Sequence, residues 1–384
     1  MSLSRRSFVH TVGAGAAGLW IGGRGREGGL LGVDLRAEAG AAPIIISSNE
    51  NPLGCHKDVL AAVTGSMPEA GRYAFAAADE VTRLVAKRHN VQPENVLLGA
   101  GSTQILRTVT EITTSKTAGL TVATPAYEDC ASHARLKGRP ITGVALDGQL
   151  RMDLDKMLAA AKGAGLVFYC NPNNPVGTAA GGADTRQFLT AVITQSPSTS
   201  ILVDEAYFEY VTMPGYETMV PMAIEHPNVI VARTFSKCYG MAGLRIGYAV
   251  AHKDTIRKMA AWEGIDAISI MALQGAKAAL AVPQAYIAGE RARNAEVRAF
   301  TMKWFADRGY TPTDSQSNFI FVNIKRPAKG FREACAKEGV FVGRDFPPYD
   351  KTHARISMGT MDEMRRAVQV FDTVLSKPAA TAAA

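Results

Sequence analysis

The sequence places a carboxylate and an amine directly after two apolar runs, where polar side chains can face a ligand. Asp204 ends the apolar run 201–203, and Lys237 lies just past the apolar run 229–232. An amine with a lowered pKa can condense with an aldehyde or act as a base, and a buried carboxylate can hold a protonated ring nitrogen. Taken alone, Asp204 would ordinarily be a turn residue and Lys237 a surface residue. The surrounding motifs therefore decide between these ordinary roles and a chemical one.

A second group of residues has the composition of an anion site. The string Leu-Gly-Ala-Gly-Ser-Thr at 98–103 opens a predicted helix, whose amides and dipole attract anions, although many turns between a strand and a helix look alike. Arg245 stands in Gly-Leu-Arg-Ile-Gly at 243–247, where it can approach a phosphate closely and bind it through two N–H groups. The residues predicted to bind the anion are Gly101, Ser102, Thr234, Ser236 and Arg245.

Two further features could contact a planar ligand. The loop 171–177 reads Asn-Pro-Asn-Asn-Pro-Val-Gly, a highly specific string in which Asn174 could donate a hydrogen bond to a phenolate oxygen. Tyr127 follows Thr-Pro at 124–125 and could stack on a ring. A plain loop and a core tyrosine are the ordinary alternatives for these features.

The hydrophobic pattern predicts strands that alternate with helices. Predicted strands cover 96–98, 118–123, 166–169, 200–203 and 229–232, and predicted helices cover 80–88, 184–194 and 102–113, the last capped by Ser102. This alternation indicates a mostly parallel sheet covered on both faces, in which ligands bind beyond the carboxyl ends of the strands. Because the candidate residues follow strands, we expect them to meet at one edge of the sheet.

From about residue 283 the pattern is that of a smaller α+β domain. Helices are predicted over 285–309, 331–338 and 362–375, with strands over 318–322, 340–342 and 355–358. We therefore expect five segments: a signal segment (1–39), an arm (40–75), a large sheet domain (76–282), a small domain (283–376) and a disordered tail (377–384). A cleft would form where the two domains meet.

In their order along the chain, these motifs resemble those of fold-type I enzymes that use pyridoxal 5′-phosphate (PLP), most closely the histidinol-phosphate aminotransferase family of class I/II aminotransferases. The resemblance runs from Ser-Ser-Asn-Glu-Asn-Pro-Leu-Gly at 47–54, through 171–178, Asp-Glu-Ala-Tyr at 204–207 and 234–248, to Arg-Ile-Ser-Met-Gly-Thr at 355–360. It implies an α/β fold of the PLP-dependent transferase type I, with a large, mostly parallel sheet domain flanked by helices and a smaller α+β C-terminal domain. It also implies transfer of an amino group between an amino acid and a 2-oxo acid.

The resemblance implies a role for each candidate residue. Lys237, Asp204 and Tyr207 would be catalytic, with Lys237 carrying PLP as a Schiff base and moving the substrate proton, and Asp204 binding the pyridine nitrogen. The other implied cofactor contacts are Asn174 and Tyr207 at the phenolic oxygen, Tyr127 on the ring face, and Gly101, Ser102, Thr234, Ser236 and Arg245 at the phosphate.

The resemblance also implies the substrate side of the site. Arg355 would pair with the substrate α-carboxylate, and the segment that contains Asn51 would border the substrate. Tyr73 would reach the phosphate of the neighbouring subunit, which implies a homodimer with shared active sites.

The sequence departs from the family pattern most at 262–268, which reads Trp-Glu-Gly-Ile-Asp-Ala-Ile. Glu263 and Asp266 would disfavour an anionic substrate arm if they face the substrate, but they could equally face solvent. Arg344, in Gly-Arg-Asp-Phe-Pro-Pro at 343–348, could contact the substrate side chain or form a structural salt bridge.

The composition excludes several other classes of function. The net charge is +7, but no run of lysine and arginine is interleaved with aromatic residues, so we expect no nucleic-acid partner. The five cysteines form no Cys-x-x-Cys pair and no zinc-like spacing, so we expect neither a metal site nor a disulfide framework, though one disulfide stays open in an exported protein.

The N-terminus resembles a twin-arginine export signal. Arg5 and Arg6 precede Phe8 and a glycine- and alanine-rich apolar stretch, and the small-x-small string Ala-Glu-Ala at 37–39 resembles a cleavage site. We expect a periplasmic or otherwise exported protein that uses the twin-arginine machinery, or a cytoplasmic one if the signal is not used. Export would separate the enzyme from histidine synthesis, so we expect a substrate other than histidinol phosphate.

Two alternative functions remain open at this point. The first is a PLP-dependent decarboxylase or lyase of the same fold, against which Arg355 argues because it would retain the carboxylate. The second is a non-catalytic ligand-binding module, against which the presence of both Lys237 and Asp204 argues.

Overall fold

The computed structural model describes residues 42–262 and 268–377 of the chain. Three sequence predictions lie outside these residues: the signal segment 1–39, the acidic residues Glu263 and Asp266, and the tail from 378 onwards. Within 42–262 and 268–377, no helix is long and apolar enough to cross a membrane.

The described residues form twelve strands and twelve α-helices. The strands are β1 Ile44–Ile46, β2 Val96–Gly99, β3 Leu120–Thr124, β4 Ile141–Ala145, β5 Leu166–Cys170, β6 Ser200–Asp204, β7 Val229–Thr234, β8 Gly247–Ala251, β9 Thr311–Pro312, β10 Phe319–Asn323, β11 Val340–Val342 and β12 His353–Ser357. The helices are α1 Lys57–Gly65, α2 Phe75–His89, α3 Ser102–Thr113, α4 Asp129–Leu136, α5 Leu154–Ala161, α6 Gly182–Gln195, α7 Val220–Glu225, α8 Lys253–Trp262, α9 Ile270–Ala281, α10 Gln284–Ala306, α11 Ala328–Lys337 and α12 Met361–Ser376.

Seven strands form one sheet in the order β2-β8-β7-β6-β5-β3-β4. β8 runs antiparallel to both of its neighbours, and the other paired strands run parallel. The central strands β5, β6 and β7 are apolar except for polar residues at their ends, because both faces of the sheet are covered. On β6, Ile201 and Val203 belong to one buried cluster and Leu202 to another, as the two-residue period of a strand requires. The predicted mostly parallel α/β fold is confirmed.

The C-terminal part of the chain builds its own core. β12, β10 and β9 form an antiparallel sheet, and β1 pairs in parallel with β11. Ile44 and Ile46 of β1 share a buried cluster with Phe305, Phe331 and Phe371. The predicted arm, which contains β1, therefore packs with the C-terminal residues. The predicted domain boundary at 282/283 stays a prediction.

The predicted strands and helices are confirmed, mostly with shifts of one to three residues at their ends. One detail was wrong, because Ser102 does not cap α3. The helix begins at Ser102, and Gly101, with φ 76°, occupies the cap position. A glycine tolerates this left-handed conformation, and it leaves the first amides of the helix without a side-chain acceptor. All five cysteines are free thiols.

Candidate functional site

Three adjacent strands bring the polar candidates to one edge of the large sheet. The loop with Asn174 follows β5, Asp204 is the last residue of β6, and Lys237 lies three residues beyond β7. β5, β6 and β7 are parallel neighbours, so their carboxyl ends meet at the same edge. The predicted convergence of Asn174, Asp204 and Lys237 is the direct result of this topology.

Asp204 is a buried carboxyl group with few partners. Its Oδ1 accepts a hydrogen bond from the Ala206 amide at 3.2 Å, and its Oδ2 lies 3.8 Å from the Cys170 thiol. Burial raises the pKa of this carboxyl to about 7, against a weaker opposing pull from the positive charge of Lys237. A cationic ring nitrogen beside it would restore the ionised form, which is the role expected for Asp204.

Lys237 is a half-buried amine in a positively charged environment. Its Nζ lies 3.4 Å from the carbonyl oxygen of Ser48 and 5.6 Å from the centre of the Tyr207 ring. Burial, and then the charge of Arg355, lower the pKa of Lys237 to about 8. This lowered pKa increases the neutral fraction of the amine near physiological pH, as a nucleophile or base requires.

The predicted anion site combines two hydroxyl groups, a guanidinium group and a helix N-terminus. Thr234 Oγ1 lies 3.0 Å from Ser236 Oγ, which in turn lies 3.3 Å from Nη1 of Arg245. A Cβ on Gly101 would displace the Arg245 guanidinium, and the φ of 76° at Gly101 also favours glycine. Because α3 begins at Ser102 and Gly101 has no side chain to cap it, the N-terminal amides and the dipole of α3 add to the attraction for a phosphate.

Tyr127 lies half-buried between β3 and α4. Its hydroxyl interacts with the side chains of Asp129 and Thr103, and burial together with Asp129 raises its pKa well above the usual range. The phenol therefore stays protonated, and its predicted stacking on a ring remains a prediction.

Arg355 of β12 reaches the same edge from the C-terminal sheet. Its Nη1 donates to Asn174 Oδ1 at 2.8 Å, and its Nη2 donates to the carbonyl oxygen of Ser47 at 2.6 Å. Its Nε is buried without a hydrogen-bond partner in the described part of the chain. Burial lowers the pKa of Arg355 to about 10, so the group stays charged at neutral pH and gains from an incoming carboxylate.

The other two predicted substrate contacts are engaged within the protein. Asn51 donates from Nδ2 to the carbonyl oxygen of Cys238 at 2.9 Å, and its Oδ1 accepts from the Leu53 amide at 3.0 Å. Arg344 pairs with Glu128 at 2.5 Å and lies over the Phe346 ring. The structure thus favours the salt-bridge interpretation of Arg344, and the substrate roles of both residues stay predictions.

Tyr73 lies apart from these residues, on an exposed surface. Its side chain is 80% exposed and stacks on Phe75 with ring centres 5.6 Å apart. Both residues line a cavity of about 280 Å³ together with Arg72 and Ile270. A tyrosine so exposed is accessible to another molecule, and its predicted contact with a neighbouring subunit stays a prediction.

Two functional features were missed from the sequence. Asn49 donates from Nδ2 to the Tyr207 hydroxyl oxygen at 3.0 Å, although the motif at 47–54 drew attention to Asn51 instead. Arg233, which precedes Thr234, donates to Glu205, which follows Asp204, at 2.7 Å in a fully buried ion pair. The charged residue after Asp204 was the available signal for this pair, which joins β7 to the residue that follows β6.

The donor and acceptor set fits PLP. Asp204 supplies a buried carboxylate for the ring nitrogen, Lys237 a partly neutral amine for the aldehyde, and Arg245 a cation beside two hydroxyls for the phosphate. Because Gly101 has no side chain, the Arg245 guanidinium lies directly against the N-terminus of α3, so the cation and the first helical amides are placed together for a phosphate.

Comparison with known proteins gives the same assignment. Residues 42–371 match the family described as aminotransferase class I and II. A histidinol-phosphate aminotransferase of Symbiobacterium thermophilum is 32% identical over 90% of this chain and 94% of its own length. The histidinol-phosphate aminotransferase of Moorella thermoacetica is 31% identical over 89% of this chain and 88% of its own length.

A solved structure with cofactor supports the comparison. The histidinol-phosphate aminotransferase of Sinorhizobium meliloti, in complex with PLP, superposes with a TM-score of 0.79 at 27% identity, covering 87% of this chain and 90% of the other. The fold, the donor set and these relatives agree. The chain therefore belongs to the class I and II aminotransferase family and is a PLP-dependent aminotransferase.

Proposed function

We propose that this aminotransferase binds the α-carboxylate of its amino-acid and 2-oxo-acid substrates at Arg355. The observation that supports this most is the buried Arg355 guanidinium, which lies against Asn174 and whose Nε has no hydrogen-bond partner among residues 42–262 and 268–377. A carboxylate there would supply the missing acceptor and compensate the buried charge. The substrate Cα would then lie on the side of the site where Lys237 resides.

Lys237, Asp204 and Arg355 have different roles in the proposed reaction. Bound PLP supplies the electron sink that makes the Cα–H bond of the amino acid acidic. Lys237 Nζ removes that proton and returns it, since its lowered pKa lets it alternate between the neutral and charged forms. Asp204 holds a proton on the ring nitrogen, while Arg355 fixes the orientation of the substrate.

The identity of the substrate is a further part of the proposal. The relatives are named for histidinol phosphate, which makes that amino alcohol the first compound to examine beside ordinary amino acids. The predicted acidic segment with Glu263 and Asp266 and the predicted export both favour a different, less anionic donor. We propose an amino acid with a neutral or basic side chain.

A half-reaction screen tests this proposal. Purified PLP-form enzyme would be mixed with single amino acids or with histidinol phosphate, and the conversion of the cofactor to its amine form would be followed by absorbance. We expect conversion with a 2-oxo acid as product, and far slower conversion by amines that lack a carboxylate. Release of CO₂ without an oxo acid would establish the lyase alternative, and conversion by histidinol phosphate alone would overturn the substrate proposal.

We also propose that the enzyme is a homodimer with shared active sites. The chain segment 53–75, which contains Tyr73, exposes several large apolar side chains, as expected for a surface that a second chain covers: Leu53, Leu60, Met67 and Phe75. A mixing experiment tests the sharing. A Lys237→Ala chain and a Tyr73→Ala chain, each impaired alone, would regain activity in a mixed dimer, because one site would combine native Lys237 with native Tyr73. No recovery in a verified mixed dimer would contradict the shared site.

We further propose export by the twin-arginine route, which the Arg5-Arg6 motif supports. Replacing Arg5 and Arg6 together by lysine should remove the enzyme from the exported fraction of a host with this route. The same change at Arg24 and Arg26 is the matched control and should leave export intact. Equal export of both variants would overturn the proposal.

A further inference from the structure

Most residues of the 47–51 segment contact the part of the site around Arg355 and Lys237. The Ser47 carbonyl oxygen accepts from Arg355 at 2.6 Å, and the Ser48 carbonyl oxygen lies 3.4 Å from Lys237 Nζ. Asn51 holds the backbone of Cys238, the residue after Lys237, at 2.9 Å. The segment therefore acts on both the substrate arginine and the lysine loop.

Asn49 is the most constrained residue of this segment. It is 1% exposed and adopts a left-handed conformation with φ 55°, which asparagine tolerates better than most residues. Its amide N–H donates to Ser357 Oγ at 2.9 Å, and its Oδ1 accepts from that hydroxyl at 2.7 Å. Its carbonyl oxygen accepts from Asn318 Nδ2 at 3.0 Å. These contacts fix the direction of the side-chain amide.

The remaining contact of Asn49 falls on Tyr207. Nδ2 donates to the phenol oxygen at 3.0 Å, and the Tyr207 ring packs edge-on against Phe319 with centres 5.1 Å apart. With one lone pair of the oxygen occupied by this N–H, the phenol hydrogen must point in another direction. The Tyr207 ring cannot rotate away because it belongs to the same buried cluster as Ile201 and Val203 of β6.

We propose that Asn49 is a positioning residue that fixes the Tyr207 hydroxyl as a hydrogen-bond donor toward the bound cofactor. The inference rests on the proposed function and extends it, because it names the residue that sets the donor direction of the tyrosine. Ser357, two residues beyond Arg355 on β12, takes part by holding Asn49. The orientation of the tyrosine donor is thus coupled to the strand that carries the substrate arginine.

Asn49→Gly is the variant to examine, because glycine keeps the left-handed backbone and removes the amide without adding charge. A donor to the cofactor's phenolic oxygen stabilises its ionised form, so a misdirected donor should raise the pH midpoint of the bound cofactor's absorbance change. We expect this midpoint to rise by at least about half a pH unit in Asn49→Gly and by less in Ser357→Ala. Ser357→Ala also provides the test if the glycine variant folds poorly.

Two comparisons separate this role from a merely structural one. Asn90→Gly is the matched control, because Asn90 has the same left-handed conformation, φ 54°, at the exposed end of α2; it should leave the midpoint unchanged. In a Tyr207→Phe background, which has no hydroxyl to direct, Asn49→Gly should add no further shift.

An additive shift in the Tyr207→Phe background, or no shift in either Asn49→Gly or Ser357→Ala, would overturn the inference. Either result would leave the proposed function intact if the wild-type enzyme completes the half-reaction. A wild-type enzyme that completes no half-reaction would instead count against the proposed function.

Discussion

The two sides of the site are built in different ways. The cofactor side uses Asn174, Asp204, Lys237 and Arg245, all from consecutive strand ends and loops of the large sheet. The substrate side joins the 47–51 segment to β12, and Ser47 and Arg355 are hydrogen-bonded across 308 positions of sequence. Local motifs determine the first side, whereas only the complete tertiary structure determines the second.

This difference also appears in what holds the side chains. On the cofactor side, some of the contacts are short-range: the Ser236 amide donates to Thr234 Oγ1 two residues away, at 3.1 Å. On the substrate side, Arg355 depends on Asn174 and Ser47 from distant parts of the chain. We therefore expect substitutions on the cofactor side to abolish the chemistry, and those on the substrate side to weaken substrate binding.

The largest effect should come from Lys237→Ala. Because no other amine can replace Lys237 Nζ at this edge of the described structure, turnover should fall at least about 10³-fold, while PLP still binds without a covalent bond. Mass spectrometry after borohydride reduction would measure covalent cofactor, with Lys303→Ala, an exposed lysine, as control. If Lys237→Ala retained turnover, the expected difference between cofactor-side and substrate-side substitutions would be wrong.

A smaller effect is expected for Arg355→Lys. Lysine keeps the charge but loses the planar pair of N–H donors, so KM for both the amino acid and the oxo acid should rise about 10- to 100-fold. The fall in kcat should be smaller, because Lys237 and Asp204 are intact. Steady-state kinetics in both directions would measure this, with the exposed Arg308→Lys as control; an unchanged KM would remove Arg355 from substrate binding.

The pH dependence of PLP capture links the two sides. Only the neutral amine of Lys237 attacks the aldehyde, so the capture rate of the apoenzyme should rise with pH through a midpoint near 8. Arg355→Gln removes a positive neighbour, which favours the protonated amine and should move this midpoint upward. Rapid-mixing absorbance at a series of pH values would measure both midpoints; a downward movement would contradict the electrostatic coupling.

The smallest effect is expected at the Glu128–Arg344 pair. This pair is partly exposed, so breaking it by Arg344→Gln should cost less than about 1 kcal/mol of stability and change KM less than about fivefold. Glu128→Gln should match it if the pair is only structural. A large change in KM that depends on the substrate side chain, and only in Arg344→Gln, would favour the substrate-contact interpretation.

The sequence predicted the strands and helices of the cofactor side well because their signals are local. The strands before Asp204 and Lys237, the loop with Asn174 and the helix at 102–113 follow from apolar runs and short motifs. β4 and β8 were not predicted, and the antiparallel direction of β8 depends on pairing with β2 and β7, which no local pattern reveals. The role of Asn49 could not be predicted, because it depends on partners at 207, 318 and 357.

The hydrogen bonds from 47–51 to β12 have a consequence for biosynthesis. A ribosome must complete β12 before Ser47 meets Arg355, so a nascent chain can assemble the sheet around Asp204 and Lys237 long before it can hold a substrate carboxylate. The enzyme thus acquires catalytic competence only as the last strand of the fold is added.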